Sequence, residues 1–556
     1  MKFKLFISVI FLCLTLQLRA QISEVQFGRI DSLFLEWNRP MHPGGAIGIM
    51  QHDKIVFSKA YGLASMEYLV PNTPGTIFNT GSVSKQFTAM GIVLLHQQGK
   101  LSVDDDIRKY LPELPDFGEV ITIRHMLHHT SGLRSLHAML ELAGWRGDDA
   151  RTNEDLNRFM LNQRDLNSKP GDEYNYCNTG YMLMVNIIEK VSGEKFPAWM
   201  KLSIFEPLGM TNTYVEDNYS RIVANNATSY YQMDGGVFER AVEYWGYVGS
   251  GNMHSTTDDL LRWLRNFSDP QPGWEAHFKM MQTVDSLNNG EKNSYAFGVG
   301  IGSFNGVESV GHSGAIGGFR ANVITYPEKE ISIAILTNFS SSSPAQKSSA
   351  ISSILLGEPA EEEEVGTPAP VKSIKLSKRE LSEFEGSYWN DQANLLRKIY
   401  LKDDTLRYFR SEDSESLLVP VSKSEFIMLE LAVDVKVVFE ISGQGKSMTV
   451  TVGNAQPGIF NGFDPVIPTR EVLGSYTGEF YSPELETTYK IYLKNVTLYS
   501  HHARLGDSEM KFIKMDILEG EWPLGMVKYQ RNEDNKITGI MVSNGRVKNL
   551  WFRKTR

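Results

Sequence analysis

Three serine and lysine pairs in the chain have the spacing Ser-x-x-Lys, which can do chemistry only where the two side chains meet. On a helix, residues three apart lie on the same face. A lysine whose pKa is lowered by burial can then take the proton that makes a serine hydroxyl nucleophilic. The pairs are Ser82/Lys85, Ser192/Lys195 and Ser508/Lys511.

The sequence context separates these pairs. Ser82 opens a long, almost wholly apolar helical pattern, which provides a dry setting for Lys85. Ser192 instead precedes Gly193 at a predicted helix end, and Ser508 lies in a strand-rich region, where a three-residue spacing separates side chains. Ser82 is therefore the predicted nucleophile, although a capping serine beside a solvated lysine would explain this motif on its own.

Two further segments supply side chains for the same chemistry. Tyr176 and Asn178 alternate in a loop that runs into a helix, so a phenol that relays a proton and an amide that holds a carbonyl could point the same way. Residues 311–318 form the run Gly-His-Ser-Gly-Ala-Ile-Gly-Gly. Its glycines let a substrate lie against a strand edge, and a nearby N–H could serve an oxyanion hole. Taken singly, the aromatic turn and His312 also have structural explanations.

Strands at both ends of the first part, with helices between them, are predicted to surround these segments. Long helical patterns span Ser82–Gln98 and Tyr181–Val191. Two hairpins are indicated as well, with strands at 46–50, 55–60, 319–325 and 331–337. This pattern predicts one antiparallel sheet, assembled from the two ends of a domain and covered by helices.

The last third of the chain repeats itself. The motif that begins at Leu381 recurs at Leu473, and the run that begins at Lys398 recurs at Lys490, both offset by 92 residues (473 − 381 and 490 − 398). Two copies of one all-β unit are predicted. A unit of this size hides its strand edges most readily as a small closed barrel, with a two-sheet sandwich as the alternative. The predicted divisions are a leader 1–20, a domain 21–357, a linker 358–374, and repeats 375–466 and 467–556.

The amino terminus and the composition restrict location and partners. Two early lysines, the apolar run 5–16 and a small residue at Ala20 predict a removable signal peptide and an exported, periplasmic or secreted protein, with a retained anchor as the alternative. A net charge of −10 without a basic stripe argues against nucleic acid. Histidines and cysteines lack metal-binding spacings, so no metal or cofactor is predicted. Only Cys177 would remain after cleavage, so no internal disulfide is expected.

The three motifs, in this order, resemble the Ser-x-x-Lys, Tyr-x-Asn and Lys/His-x-Gly triplet of serine β-lactamases and penicillin-binding proteins. Because Tyr176 opens the middle motif, the chain is similar to the class C β-lactamase branch. The resemblance covers about residues 24–355. It implies a multidomain α+β fold in which helices flank an antiparallel sheet and form a further subdomain. The two repeats resemble the paired antiparallel β-barrels of bacterial D-aminopeptidases, in architecture only.

The resemblance also implies roles for the matching residues. Ser82 would form the acyl-enzyme, Lys85 would share its proton, and Tyr176 would pass a proton to the leaving group. Asn178 would bind the substrate carbonyl, and the backbone N–H groups of Ser82 and Ala315 would form the oxyanion hole. Further substrate-binding residues implied by the resemblance are His312, Ser313 and Gly314.

His312 stands where β-lactamases of this branch usually have lysine. A histidine of ordinary pKa, near 6.5, is mostly neutral at pH 7 and would hold a substrate carboxylate less firmly. His128 and His129 have no catalytic counterpart and are interpreted as structural. The predicted function is hydrolysis of an amide or ester through an acyl-serine, on small peptides or peptidoglycan-derived material. A carboxylesterase of short acyl esters and a catalytically idle penicillin-binding sensor are the alternatives.

Overall fold

The computed structural model describes residues 22–357, 373–411, 414–428, 435–443, 445–453 and 456–556. These ranges form a mixed helix and sheet part followed by two β-barrels. The predicted signal peptide at 1–20 and most of the predicted linker, residues 358–372, lie outside the described residues. No helix within the described ranges is both long and apolar enough to span a bilayer.

A six-stranded antiparallel sheet forms the centre of the first part. Its spatial order is β3-β4-β5-β6-β1-β2, so the first and last segments of this part meet where β1 pairs with β6. Both predicted hairpins, β1–β2 and β5–β6, are confirmed, and β3 and β4 extend the sheet beyond them. The strands are β1 Gly45–Gln51, β2 Lys54–Tyr61, β3 Gly300–Phe304, β4 Val307–Ile316, β5 Phe319–Tyr326 and β6 Ile331–Thr337.

Helices cover both faces of this sheet. Successive side chains of a strand point to opposite faces; Ile333 and Ile335 accordingly pack in one buried cluster, and Ala334 and Leu336 in another. Helices α1 and α10 lie on the first face and α8 on the second. The helices of this part are α1 Glu24–Ser32, α2 Ser84–Gln97, α3 Ile123–Leu127, α4 Leu136–Leu142, α5 Asn153–Asn162, α6 Asn178–Ser192, α7 Phe196–Met200, α8 Thr257–Arg265, α9 Glu275–Met281 and α10 Pro344–Leu356.

The helix predicted from Ser82 is present, but its first turn differs from the prediction. Residues Gly81–Val83 form a 3₁₀ turn, and α2 begins at Ser84. Gly81 has φ +53°, and a Cβ there would lie 2.6 Å from the backbone nitrogen of Ala315. The turn therefore needs glycine both for its left-handed φ and for its close approach to β4.

Both repeats are closed eight-stranded antiparallel barrels, as predicted, and not sandwiches. The first three strands of each barrel begin at the same 92-residue offset as the sequence motifs. Barrel 1 follows α11 (Lys378–Ser382) and consists of Gly386–Asn390, Leu395–Lys402, Thr405–Ser411, Ser414–Pro420, Glu425–Met428, Val435–Ser442, Gly445–Val452 and Gly458–Phe463. Barrel 2 follows α12 (Arg470–Ser475) and consists of Gly478–Ser482, Thr487–Lys494, Thr497–His502, Gly506–Lys514, Ile517–Gly520, Met526–Arg531, Ile537–Ser543 and Leu550–Lys554.

Barrel 2 is packed tightly against the first part. Its buried apolar side chains are continuous with the helical core, whereas barrel 1 has a core of its own. Arg134 forms a buried ion pair with Glu484 of barrel 2 at 2.7 Å. The Tyr489 hydroxyl also donates to the Leu142 carbonyl at 3.0 Å. These contacts fix the second barrel relative to the helices beside Ser82.

Candidate active site

Ser82 and Lys85 meet at the start of α2. Lys85 is completely buried, and its Nζ donates hydrogen bonds to Ser82 Oγ at 3.1 Å and to the Ser250 carbonyl at 2.7 Å. Ser82 itself remains partly exposed and lines two adjoining cavities. The structure thus places a buried amine directly behind a reachable hydroxyl.

The surroundings of Lys85 favour its neutral form. Burial, followed by the positive charge of Arg546, holds the pKa of the Lys85 amine well below its ordinary 10.5. A neutral amine has a lone pair that can accept the Ser82 proton, whereas an ammonium has none. Lys85 therefore has the geometry and the electrostatics of a general base.

Tyr176 lies next to this pair. The Lys85 Nζ is 4.8 Å from the centroid of the Tyr176 ring, and the ring lines the larger cavity together with Ser82. Its hydroxyl is buried and has no hydrogen-bond partner of normal geometry among the described residues. Burial raises the pKa of Tyr176, and the neighbouring Ser82 hydroxyl acts in the opposite direction. At neutral pH the phenol keeps its proton and is suited to donate it.

Asn178 begins α6 two residues later and lines both cavities. Its Oδ1 is buried and without a hydrogen-bond partner in the described part of the chain. Cys177, between them, is buried away from the cavities, and its Sγ contacts the Leu133 carbonyl at 3.2 Å. The alternation in the loop therefore presents Tyr176 and Asn178 to the cleft and directs the thiol into the core.

The open edge of β4 completes the wall opposite. β3 pairs with β4 only as far as Gly311, so the residues that follow have no strand partner on that side within the described part of the chain. A Cβ on Gly314 would lie 2.0 Å from the Thr80 carbonyl and 3.2 Å from the Ser82 nitrogen. Glycine at 314 thus permits close packing that brings the backbone N–H groups of Ser82 and Ala315 to one end of the cleft.

His312 lines the same cavity, but both of its ring nitrogens have protein partners. Nδ1 lies 2.5 Å from the Ser313 carbonyl, and Nε2 lies 2.9 Å from the Tyr295 hydroxyl. Burial, followed by the charge of Lys85, lowers the pKa of His312 to about 4. The imidazole is neutral at pH 7 and does not supply a cation for a substrate anion. The Ser313 hydroxyl is exposed at the rim, where it accepts from Asn322.

Two cavities flank Ser82. The larger, about 680 Å³, contains Tyr176, His312 and Arg546. The smaller, about 210 Å³, contains His137 and Glu141. A substrate whose carbonyl carbon lies at Ser82 would therefore place its two halves in different cavities.

The sequence model described as Beta-lactamase matches residues 37–355, more than half of the chain. The chain belongs to the Beta-lactamase family. Penicillin-binding protein 4* of Bacillus subtilis (strain 168) is 29% identical over 73% of this chain and 92% of that protein. The family membership confirms the predicted family and, with it, the prediction that the chain is a serine hydrolase.

Two further proteins resemble this Beta-lactamase family member over different shares of its length. A D-aminopeptidase of Gluconobacter oxydans (strain 621H) is 26% identical over 58% of this chain; the match spans 60% of that enzyme's length. The solved octameric penicillin-binding protein homologue from Pyrococcus abyssi has a TM-score of 0.54, with 26% identity over 78% of this chain and all of that chain.

The two remaining Ser-x-x-Lys pairs of this Beta-lactamase family member do not form sites. Ser192 ends α6, and Lys195 instead forms an ion pair with Glu189 on the surface. Ser508 and Lys511 lie on one strand of barrel 2, at an odd spacing that sends their side chains to opposite faces.

Several residues that the sequence pattern did not identify support the cleft of this family member. The Ser250 carbonyl orients Lys85, and its only sequence signal is the surrounding glycine-rich run. His129 is buried, its ring packs at a tilt with its centroid 4.2 Å from that of the Tyr176 ring, and it accepts a hydrogen bond from the Cys177 N–H. His129 thus positions the tyrosine loop, in line with the structural interpretation of this residue. Among the described residues, no cluster of His, Cys, Asp or Glu is arranged to hold a metal ion.

Arg546 has no sequence signal at all, because it comes from the far end of barrel 2. Its guanidinium lies 5.6 Å from the centroid of the Tyr176 ring and lines the larger cavity. Barrel 2 therefore reaches the cleft, a contact that the sequence left open.

Proposed function

We propose that the protein hydrolyses an amide or ester bond through an acyl-serine on Ser82, acting on small peptides or peptidoglycan-derived material. The observation that carries this proposal is the 3.1 Å contact between the buried Lys85 Nζ and Ser82 Oγ. The similarity to a D-aminopeptidase supports peptide-type substrates. The same acylating residues would also serve short acyl esters. Hydrolysis rates on D-amino acid substrates and on an acetate ester separate the two substrate classes.

Each residue of the cleft has its own role in the proposed reaction. Lys85 Nζ takes the Ser82 proton while Oγ attacks the substrate carbonyl carbon. The backbone N–H groups of Ser82 and Ala315 donate to the oxygen that becomes negative, and Asn178 holds a neighbouring polar group of the substrate. The proton passes through Tyr176 to the leaving nitrogen or oxygen as its bond to carbon breaks. Water then attacks the acyl-serine, returning the proton to Ser82 and releasing the acid.

Labelling experiments test the nucleophile directly. The native protein should react with a fluorophosphonate or a fluorescent penicillin, and Ser82→Ala should not. Ser192→Ala is the matched control, because Ser192 has the same Ser-x-x-Lys spacing but lies at a helix end; it should be labelled like the native protein. Absence of labelling in the native protein by both probes would contradict an acylating Ser82 and, with it, the proposal. An idle penicillin-binding sensor would be labelled by the penicillin but would show no turnover of any substrate.

Hydrolysis rates then separate the substrate classes. D-alanyl p-nitroanilide, a D-Ala-D-Ala peptide and p-nitrophenyl acetate should be compared with the native protein and with Ser82→Ala. Ser82-dependent turnover of either D-amino acid substrate supports a peptidase. Ser82-dependent turnover of the acetate alone would favour the carboxylesterase.

We also propose that the protein is exported after cleavage behind Ala20. The basic start and short apolar run support this location. Mass spectrometry of the protein from its native cells should find an N-terminal peptide that begins at Gln21, in the periplasmic or secreted fraction. Recovery of Met1 on the mature protein would overturn this proposal.

A further inference from the structure

The turn that carries Arg546 is fixed to the catalytic part by its backbone. The Arg546 carbonyl accepts hydrogen bonds from the Ser135 N–H at 3.1 Å and from Asn167 Nδ2 at 3.0 Å. The next residue, Val547, is completely buried. None of these contacts involves the Arg546 side chain, so a substitution at 546 would leave the backbone of this turn in place beside the cleft.

Among the described residues the guanidinium has neither an ion-pair partner nor a hydrogen-bond acceptor, whereas two neighbouring cations each have partners. Lys548 on the same turn forms an ion pair with Glu173 at 2.7 Å. Arg320, the other arginine of this cavity, donates to the carbonyls of Gly317 and Phe319. Arg546 therefore presents an exposed cation, with no ion-pair partner among the described residues, to a cavity of about 680 Å³ that opens onto Ser82.

The position of Arg546 relative to Tyr176 indicates which half of the substrate it would meet. Tyr176 is the proposed proton donor to the leaving group, and the Arg546 guanidinium lies over its ring. The leaving half of the substrate would therefore lie in the cavity that Arg546 and Tyr176 line together. A guanidinium binds carboxylates in a bidentate geometry and stays charged across the working pH range.

We propose that Arg546 binds a carboxylate in the leaving-group half of the substrate, so that the second barrel selects substrates that release an acid-bearing fragment. This inference rests on the proposed function and specifies its substrate class. It assigns to barrel 2 the anion recognition that the neutral, fully hydrogen-bonded His312 does not provide. A free carboxyl terminus beyond the scissile bond fits this arrangement, whereas a neutral leaving group would leave the guanidinium without an acceptor.

A pair of esters tests the inference. Both are phenyl esters of N-phenylacetylglycine; one leaves as 3-hydroxybenzoate and the other as 3-hydroxybenzamide, so that they differ only in the negative charge. The readout is the ratio of kcat/KM for the two esters at pH 8.5, divided by the ratio of their hydroxide-catalysed rates. The native ratio should favour the carboxylate by about tenfold or more, as expected for a charged hydrogen-bonded pair.

Three variants supply the comparison. Arg546→Gln should bring the ratio close to one, and Arg546→Lys should retain part of the preference. Arg504→Gln is the matched control, because Arg504 is another barrel 2 arginine that contacts the first part, through Asp149 at 2.7 Å, but it does not line the cavity. Arg504→Gln should keep the native ratio.

The outcomes distinguish failure of the inference from failure of the function. An unchanged ratio in Arg546→Gln, or a native ratio near one, would overturn the role of Arg546 while Ser82-dependent turnover would still support a hydrolase. If the native protein hydrolysed neither these esters nor the D-amino acid substrates, or if Ser82→Ala kept the native rate, the proposed function would fail and the inference with it. Turnover of the D-amino acid substrates without turnover of either ester would overturn the inference alone.

Discussion

Replacing Tyr176 by phenylalanine separates a catalytic phenol from a packing aromatic. The Tyr176 hydroxyl is buried and has no partner of normal hydrogen-bond geometry in the described ranges, with the Ser82 hydroxyl as its neighbour. Ser82 keeps the hydrogen bond from Lys85, so removal of the phenol oxygen leaves no other group unpaired. The free energy of unfolding should therefore change by less than about 0.5 kcal/mol, or even increase. If the hydroxyl delivers the proton to the leaving group, kcat/KM should fall by about a hundredfold or more, which corresponds to about 2.7 kcal/mol of transition-state stabilisation.

Tyr181 provides a control with the opposite expectation. It is another buried tyrosine near Lys85, 5.7 Å from Nζ to its ring centroid, but its hydroxyl donates to the Leu127 carbonyl at 2.7 Å. Tyr181→Phe leaves that carbonyl buried and unpaired, so it should cost about 1–3 kcal/mol of stability. Its effect on kcat/KM should stay within a few-fold, because no proton passes through Tyr181.

Urea unfolding and steady-state hydrolysis of a chromogenic D-alanyl anilide or aryl ester measure the two quantities on the same preparations. We expect opposite patterns for the two variants: Tyr176→Phe is stable and slow, and Tyr181→Phe is less stable and nearly as fast as the native protein. Native turnover in Tyr176→Phe would show that the phenol carries no proton. Equal destabilisation of both variants would show that the Tyr176 hydroxyl has a structural partner.

Three further outcomes follow from the charges of the fold. Because the Arg546 charge lowers the pKa of Lys85, Arg546→Gln should move the acidic limb of the kcat/KM profile to higher pH; an unmoved limb would contradict Lys85 as the base. Burial raises the pKa of Glu243 to about 7, so native stability should fall as pH rises from 5 to 8, and urea unfolding of Glu243→Gln should lack that loss. Arg134→Met leaves Glu484 buried without its ion-pair partner and should lower the urea unfolding free energy by about 3–5 kcal/mol. Arg134→Met/Glu484→Leu should recover most of that loss.

Local patterns predicted much of the fold because they depend on neighbouring residues. The apolar stretches of β1, β2, β5 and β6 around their polar turns, and the long buried helix from Ser82, required no distant information. The 92-residue offset predicted two copies of one all-β unit. The need of a small unit to hide its strand edges then predicted a closed barrel. The 3₁₀ turn at Gly81 was missed, since its cause is the approach of Ala315 from a strand more than two hundred residues away.

The site was predictable only where its residues stand in motifs. Ser82, Lys85, Tyr176 and Asn178 carry spacing that reflects their shared chemistry. Arg546 lies on a turn of barrel 2 that is positioned by hydrogen bonds from Ser135 and Asn167 to its backbone carbonyl. Such contacts between distant segments leave no motif in the sequence around Arg546. The acylating groups were therefore predictable from the sequence, whereas the cation that the structure places beside them was not.

The coupling between barrel 2 and the catalytic part decides which perturbations give clear answers. Removing the barrels would take away the hydrogen bond to the Leu142 carbonyl and the only buried carboxylate that pairs with Arg134 among the described residues. It would also divide an apolar core that barrel 2 shares with the helices. Loss of activity in such a truncation would report unfolding as readily as altered specificity. Arg546→Gln avoids this ambiguity because its docking hydrogen bonds come from the backbone carbonyl. A change in the carboxylate preference of that variant can then be assigned to the guanidinium alone.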